Sequence, residues 1–269
     1  MDRFDVVILG SGLASATLAT ILARHGVRVV MIEAGSHPRF AIGESVVPEF
    51  GALANLLAGR FDVPELGHLA NFQRLRHHVS ANCGIKRNFS FLHHKDGTEP
   101  TDADWCQFLT MTHPLGPDSH VYRPDIDAWL TVLAVKYGAE YRERSPVLDP
   151  DADVELREDG VTVRAGGKTV NARFLVDGTG FRSVIARKLG LRQDPTAATN
   201  SRTIFTHMVG VRTLESVLPN GGRTPVPSPP DQGTLHHLFE GGWFWVIPFN
   251  NHSLAVNGVC SVGLTLDRN

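Results

Sequence analysis

Three residues near the start of the chain have the types and spacing that bind a dinucleotide. Gly10 and Gly12 directly follow the apolar run of residues 6–9, and Glu33 comes 23 positions after Gly10. In this pattern the first glycine permits a tight turn, and the second lets the backbone approach a pyrophosphate at the N-terminus of a helix. The acidic residue then accepts a hydrogen bond from a ribose hydroxyl. Ser15 replaces the third glycine of the pattern and is small enough for a helix to pack closely on a strand.

One lysine stands among apolar and aromatic residues. Lys86 alternates with Ile85 and is followed by Phe89 and Phe91, as in a β-strand. A lysine in such surroundings loses hydration, which disfavours the ammonium form and lowers the pKa of the amine. The neighbouring Arg87 would point to the opposite face of a strand. The pattern by itself predicts only that this amine is desolvated, and the alternative is an ordinary surface lysine.

Two tryptophans lie two positions apart near the end of the chain. Trp243 and Trp245 belong to an apolar run that ends at Ile247 and Pro248. This spacing places both indoles on one face of a strand. A hydrophobic strand with two core tryptophans would show the same pattern, so the spacing alone leaves its role open.

Regular elements are predicted on both sides of the glycines. The apolar periodicity indicates a buried strand over residues 6–9, a helix over residues 13–25 that ends at Gly26, and a second strand over residues 27–32. Strand, helix, strand and acidic residue are the context in which the glycine pattern binds a dinucleotide. Without a cofactor, the same glycines would mark only a tight turn in a structural βαβ unit.

A second helix and a β-meander are predicted in the middle of the chain. The helix follows Arg123, has Pro124 near its start and ends at Gly138. Alternating residues on either side of Asp159-Gly160 and Gly166-Gly167 predict strands joined by tight turns. The meander leads to a strand over residues 174–176, then to Asp177 and a short helix from residue 183.

The composition excludes several classes of partner. The formal net charge of −2 provides no global basic field for nucleic acid. No apolar run approaches the roughly 18 residues of a membrane helix. The three cysteines, Cys83, Cys106 and Cys260, form no CxxC motif, which suits a reducing cytosol. We therefore expect a cytoplasmic protein with no nucleic-acid or membrane partner.

Histidine pairs are the only hint of a metal site in the sequence. They occur at His77-His78, His93-His94 and His236-His237. Adjacent residues on a strand diverge, so such a pair cannot chelate a metal from one face. No HExxH or Cys/His ligand spacing is found. The sequence therefore predicts no metal site.

Two further motifs resemble the flavin-dependent halogenases, a family within the flavoprotein monooxygenase superfamily. After the second predicted strand, Arg39 is followed by Gly43-Glu44-Ser45, as in the family's segment along the flavin ring. Residues 243–248 match WxWxIP, the motif that distinguishes halogenases from flavin monooxygenases. The resemblance implies an α/β fold, in which a Rossmann-like FAD-binding domain of the glutathione-reductase type has an inserted antiparallel β-sheet for the substrate. Residues 1–80 and 121–195 are expected to form the FAD module, and residues 81–120 and 196–269 the sheet region.

The resemblance also assigns residues to the cofactor. In this family the arginine before the middle helix contacts FAD, and an aspartate at the end of a later strand lies near it. Arg123 could instead be a solvated surface residue, and Asp177 could be a helix cap or turn former. The FAD-binding set implied by the resemblance is Gly10, Gly12, Leu13, Ala14, Ser15, Glu33, Arg39, Gly43, Glu44, Ser45, Arg123 and Asp177.

The family's chemistry implies halogenation of a phenol, pyrrole or indole. A flavin hydroperoxide, formed from FADH2 and O2, would oxidise chloride or bromide. Lys86 would convey the halogen to the ring, as a haloamine or through a hydrogen bond. Trp243, Trp245, Ile247 and Pro248 would shield the flavin from the organic substrate. A separate NAD(P)H-dependent flavin reductase would supply FADH2, and the substrate would be free or tethered to a carrier protein.

Two other functions are compatible with part of the sequence. A flavin-dependent aromatic hydroxylase or prenyl reductase would explain residues 5–48 and 177–183 equally well, but not the tryptophan motif. A non-catalytic flavin-binding fragment is the other alternative. It is motivated by the family's Gly-Asp motif, halide loop and C-terminal helical region, none of which is found in this sequence, so we expect a truncated or remnant form.

Overall fold

The computed structural model describes residues 2–110, 116–193, 200–218 and 223–268. The chain divides into two compact units. The first contains Met1–Ala41, Ala58–Val63 and Arg123–Pro195, and the second contains Ile42–Leu57, Pro64–Tyr122 and Thr196–Asn269. The units interleave along the sequence, as the predicted domains do. Residues 42–57, 64–80 and 121–122, however, lie in the second unit rather than with the FAD module.

Helices and strands alternate through the first third and the middle of the chain, and strands dominate the end. In chain order the elements are β1 (Asp2–Leu9), α1 (Leu13–Arg24), β2 (Val29–Ile32), α2 (Pro48–Arg60), α3 (Phe72–His78), β3 (Cys83–Lys86), β4 (Asn88–His93), β5 (Trp105–Leu109), β6 (Asp118–Val121), α4 (Arg123–Lys136), β7 (Glu140–Arg142), α5 (Pro150–Asp153), β8 (Val154–Arg157), β9 (Gly160–Ala165), β10 (Lys168–Asp177), α6 (Val184–Lys188), β11 (Ser201–Val209), β12 (Gly233–Phe239), β13 (Gly242–Pro248) and β14 (Val259–Asp267). Among the described residues, no helix is both long and apolar enough to cross a membrane.

The first unit is built on a six-stranded sheet in the order β7-β2-β1-β10-β9-β8. β1 pairs in parallel with β2 and β10, whereas β8, β9 and β10 form an antiparallel meander. All four residues of β2 are buried, as expected for a strand covered on both faces. This sheet confirms the predicted Rossmann-like unit and the predicted meander.

The second unit contains a six-stranded sheet in the order β11-β14-β13-β12-β4-β5. It is antiparallel, as predicted, at every ladder except one, because β4 and β12 run parallel. Parallel neighbours need a long connection, and the chain between these two strands provides it. A separate two-stranded ladder joins β3 to β6. The core of this unit includes Trp245, Ile247 and Phe249.

Candidate functional site

The turn after β1 depends on two glycines and Ser15. Gly10 has a positive φ of 93°, and a Cβ there would lie 2.4 Å from the carbonyl oxygen of Gly178. A Cβ on Gly178 would lie 2.0 Å from Oγ of the buried Ser15. These small residues let the start of α1, at Leu13 and Ala14, approach the end of β10.

Glu33 lies just after β2 and is buried beside this turn. Its carboxylate accepts hydrogen bonds from Ser11 N at 3.0 Å, Ser11 Oγ at 2.9 Å and Gly35 N at 2.9 Å. Burial acts to raise the pKa of Glu33, but the hydrogen bonds from Gly35 and Ser11 outweigh it and lower the pKa. A carboxylate has about four acceptor positions, so few remain for a ribose. The ribose contact stays a prediction.

Two arginines converge on Gly12. A Cβ built on Gly12 would lie 3.5 Å from Arg39 Nη2 and 3.9 Å from Arg123 Nη2. Arg123 donates two hydrogen bonds to Asp127, at 2.8 and 2.9 Å, and Arg39 Nη2 lies 3.7 Å from the Glu33 carboxylate and 3.9 Å from that of Asp127. The sequence reasoning missed the fully buried Asp127, although its spacing of four from Arg123 on one helix was a usable signal.

Asp177 organises the turn that follows β10. Its carboxylate accepts hydrogen bonds from Thr179 N at 3.1 Å, Thr179 Oγ1 at 2.6 Å and Ile185 N at 2.8 Å. Burial opposes these bonds, but together they lower the pKa of Asp177. The contacts favour the turn-forming alternative. A direct role toward a cofactor stays a prediction.

The Gly43-Glu44-Ser45 segment is held by side chains of the second unit. Gly43 has a positive φ of 92°. Glu44 is buried, and its Oε1 lies 2.8 Å from His207 Nε2. Ser45 Oγ lies 2.5 Å from Thr234 Oγ1 on β12. The loop is therefore anchored to β11 and β12 by two consecutive side chains.

His120 on β6 continues this network, and the sequence reasoning missed it. Its Nδ1 lies 2.8 Å from the Pro248 carbonyl oxygen, and its Nε2 lies 3.1 Å from Thr234 Oγ1. A carbonyl can only accept, so Nδ1 carries the proton, Nε2 accepts from Thr234, and Thr234 accepts from Ser45. Burial lowers the pKa of His120 to about 3, so the ring is neutral. Its partner Pro248 is 128 positions away, and no local pattern could have indicated it.

Lys86 ends β3 with its side chain completely buried. The amine donates a hydrogen bond to the carbonyl oxygen of Val46, and Nζ lies 3.3 Å from the ring centroid of Phe89. Burial lowers its pKa to about 7, and this effect is opposed by the charge of Asp118, its cross-strand partner. Both protonation states are therefore populated near neutral pH, and the loss of hydration predicted for this lysine is observed.

The two tryptophans share one face of β13, as their spacing predicted, but differ in burial. Their ring centroids are 5.6 Å apart. Trp245 is buried over Gly263, where a Cβ would lie 2.0 Å from the indole, and its Nε1 donates to Ser261 Oγ at 3.3 Å. Trp243 is half-buried, and Ile247 is buried beside Trp245. Trp243 is therefore the more accessible of the two rings.

The histidine pair on β12 divides between the two faces of the sheet. His236 stacks on Phe91 at 4.5 Å, whereas His237 stacks on Phe244 at 4.3 Å and lies 2.8 Å from His94. The described part of the chain has no group of three His, Cys, Asp or Glu residues that could hold a metal ion.

The sequence of this chain is similar to those of several halogenases. A family model for an NAD(P)-binding Rossmann-like domain matches residues 8–64. The tetracycline 7-halogenase of Kitasatospora aureofaciens is 44% identical, over 99% of this chain and 48% of that protein. Monodechloroaminopyrrolnitrin halogenase PrnC of Pseudomonas fluorescens is 42% identical, over 99% of this chain and 46% of that protein. The chain thus spans about half the length of the curated relatives it matches.

The fold is similar to that of a solved halogenase. The crystal structure of halogenase PltM in complex with phloroglucinol and FAD matches with a TM-score of 0.90 and 37% identity, over 98% of this chain and 52% of that chain. The similarity therefore extends over both units, including the glycine turn and the tryptophan strand. In sequence and in fold, this chain is a relative of the flavin-dependent halogenases, and it spans about half of their length.

Proposed function

We propose that this chain is part of a flavin-dependent halogenase that attaches chlorine or bromine to an electron-rich aromatic ring. The observation that carries the proposal is the state of Lys86. Its amine is buried, has a pKa of about 7, and lies against the ring of Phe89. Phe89 is on the same face of the sheet as the two indoles of the WxWxIP motif. A partly neutral amine is the form that can accept an electrophilic halogen.

The residues of the first unit fit FAD. The turn at Gly12 is open toward Arg39 and Arg123, and two guanidinium groups provide the charge and hydrogen-bond donors that a pyrophosphate needs. Gly10 and Gly178 permit the close turn beside α1, whose N-terminus favours an anion. When bound, the reduced flavin and O2 supply the oxidant that converts halide to hypohalous acid.

Lys86 would transfer the halogen. Its neutral amine reacts with hypohalous acid to form an N–halogen bond with release of water. An aromatic carbon then takes the halogen, and the electron pair of the N–halogen bond returns to nitrogen. The ring loses a proton, and the amine gains one, so lysine is regenerated. Hydrogen bonding of the ammonium form to hypohalous acid is the alternative way of orienting the same electrophile.

Other residues of the second unit would control access. Trp243 and Trp245 exclude an organic substrate from the oxidant, and Ile247 and Pro248 hold the strand that carries them. The neutral His120 links the Pro248 carbonyl to Ser45 through Thr234. A separate NAD(P)H-dependent reductase would supply FADH2, and the ring would be free or held on a carrier protein.

The test is turnover of the intact protein with a flavin reductase, NADH, FAD, bromide and phloroglucinol. We expect a brominated ring, and we expect Lys86→Ala to lower bromination at least about 100-fold, the scale of one well-placed catalytic group. Lys86→Met fills more of the space and guards against misfolding. Lys168→Ala, at an exposed lysine of β10, is the matched control.

The outcomes separate the proposal from its alternatives. FAD affinity should stay within a few-fold in both Lys86 variants, because Lys86 is not part of the glycine turn. Bromination that survives in both variants would remove the role from Lys86. A hydroxylated product formed without bromide would indicate a hydroxylase, and a protein that stays colourless with added FAD would indicate a non-catalytic fragment.

A further inference from the structure

A row of aromatic rings crosses one face of the sheet in the second unit, and His236 lies in its middle. The His236 ring is 6.3 Å from that of Phe89, 4.5 Å from that of Phe91 and 5.5 Å from that of Trp243, and Trp243 is 5.6 Å from Trp245. All but Trp245 are only half-buried. The partly exposed edges of Phe89, Phe91 and His236 therefore offer an apolar surface that an aromatic ring can contact edge to face, beside the indoles that would keep it from the oxidant.

The hydrogen bonding of His236 leaves one nitrogen as an acceptor. Its Nδ1 lies 3.2 Å from the Ser90 carbonyl oxygen and must donate the proton, since a carbonyl can only accept. Burial is the main cause that lowers the pKa of His236. The hydrogen bond to Ser90 opposes this shift, and the charge of Lys86 adds to it. The ring is therefore neutral, and Nε2 carries a lone pair. Nε2 has no hydrogen-bond partner among the residues that the structure describes.

The same row leads to the reactive amine. The ring centroid of Phe89 lies 3.3 Å from Lys86 Nζ and 6.3 Å from the His236 ring centroid. Phe89 is therefore next to both groups, and a ring held at His236 would lie one aromatic residue away from Lys86. A hydrogen bond to His236 would fix the position of the substrate ring relative to Lys86, and this would determine which ring carbon receives the halogen.

We infer that His236 is a positioning residue, whose Nε2 accepts a hydrogen bond from an O–H or N–H group attached to the aromatic ring of the substrate. The inference rests on the proposed function and narrows its substrate class to rings that carry such a donor. The chemistry agrees, because a hydroxyl or ring N–H donates electron density to the ring and activates it toward an electrophilic halogen. A ring whose donor is blocked by a methyl group would lose the contact.

Paired probes with and without the donor test this assignment in the intact protein. Phloroglucinol is compared with 1,3,5-trimethoxybenzene, and indole with 1-methylindole, by calorimetric titration. We expect the wild type to bind at least one donor-bearing probe about three- to tenfold more tightly than its methylated counterpart, the scale of one neutral hydrogen bond. The pair that shows the difference identifies the donor as O–H or N–H.

Three variants identify the side chain responsible. His236→Phe keeps the stacked ring and should abolish the discrimination within each pair. His236→Gln restores an acceptor oxygen and should recover part of it. His237→Phe is the matched control, since it is adjacent on β12 but faces the other side of the sheet, against Phe244 and His94. Unfolding curves of all variants exclude a general loss of structure.

Binding and turnover test the two proposals independently. Equal affinities within both pairs for the wild type, or discrimination unchanged in His236→Phe, would overturn the inference whether or not the protein halogenates. The protein could also distinguish the donor-bearing probes from the methylated ones through His236 and yet make no halogenated product. That result would support the hydrogen bond to His236 and overturn the proposed function instead. In a protein that halogenates, His236→Phe should also raise the KM for the donor-bearing probe more than it lowers kcat.

Discussion

The amine of Lys86 is buried away from water, with the carbonyl of Val46 and the ring of Phe89 as its neighbours. Both neighbours attract an ammonium group, but neither replaces full hydration, so the charged form is disfavoured. Asp118 limits the effect. An amine with a pKa of about 7 can act as a nucleophile at neutral pH, where an ordinary lysine stays protonated.

The lowered pKa of Lys86 predicts how stability changes with pH. The amine has a pKa near 10.5 in the unfolded chain and about 7 in the folded chain. Between pH 7 and 9.5 the unfolded chain therefore keeps its proton on this amine, whereas the folded chain progressively releases it. The unfolded state then binds more protons, so the free energy of unfolding rises with pH. We expect an increase of up to about 3 kcal/mol in the wild type relative to Lys86→Met.

Urea unfolding at several pH values in this window measures the difference. The comparison with Lys86→Met cancels the contributions of groups that both proteins share. Asp118 is the charged group that faces the amine across the β3–β6 ladder, and burial raises its pKa. Parallel curves for the two proteins would mean that Lys86 is hydrated in solution.

At the scale of elements, β13 shows how one strand can serve both the core and a functional surface. Trp245 is inserted over Gly263 of β14 and belongs to the core cluster with Ile247 and Phe249. Trp243, two positions earlier, contacts His236 and stays half-buried. Because the sheet is paired on both sides of β13, the strand is held in register and both indoles keep their positions.

This difference in burial predicts that removing the two rings lowers the free energy of unfolding by unequal amounts. Trp245→Ala should lower the free energy of unfolding by about 3–5 kcal/mol, because it leaves a cavity in the core. Trp243→Ala should cost clearly less, since part of that ring is already in contact with water. Urea unfolding of the two variants at one pH measures both values.

Equal losses would mean that Trp243 is as deeply packed as Trp245. Trp245→Phe and Trp243→Phe serve as conservative companions. In Trp245→Phe the lost Ser261 hydrogen bond and the reduced contact with Gly263 should still be measurable.

At the scale of the whole chain, the two units contain different parts of the proposed chemistry. The first has the glycine turn, Glu33 and the two arginines, which suit a dinucleotide. The second has the buried amine, the anchored Gly-Glu-Ser loop and the aromatic row. The chain spans about half the length of its curated relatives, so binding of the cofactor is the property of this part to measure first.

The arginines near Gly12 predict a preference for the pyrophosphate of FAD. Arg39→Ala should weaken FAD binding about tenfold or more, the scale of a charge-assisted hydrogen bond. Riboflavin lacks the pyrophosphate, so its affinity should be unaffected by the change. Titration by flavin fluorescence measures both ligands, and Arg157→Ala, at an exposed arginine of β8, is the control. Equal losses for FAD and riboflavin would place Arg39 away from the pyrophosphate.

Local patterns in the sequence were sufficient to predict much of the fold. The β1, α1 and β2 segments, the helix after Arg123 and the strands flanking Asp159-Gly160 all depend on neighbours within a few positions, through apolar periodicity and turn glycines. β2 begins at Val29 rather than at residue 27, which is a small boundary difference. The strand over residues 243–248 and the shared face of its indoles followed from the period of two alone.

By itself the sequence determined the glycine turn, the burial of the lysine-bearing segment and the tryptophan strand, because each is encoded by residue types at short spacing. Only the tertiary structure decided which distant groups meet. His120 bonds to a carbonyl 128 positions away, β4 pairs in parallel with β12, and His236 joins Phe89 and Trp243 in one row. Such contacts follow from strand order and register, which depend on the packing of the whole sheet and leave no periodic trace in the chain.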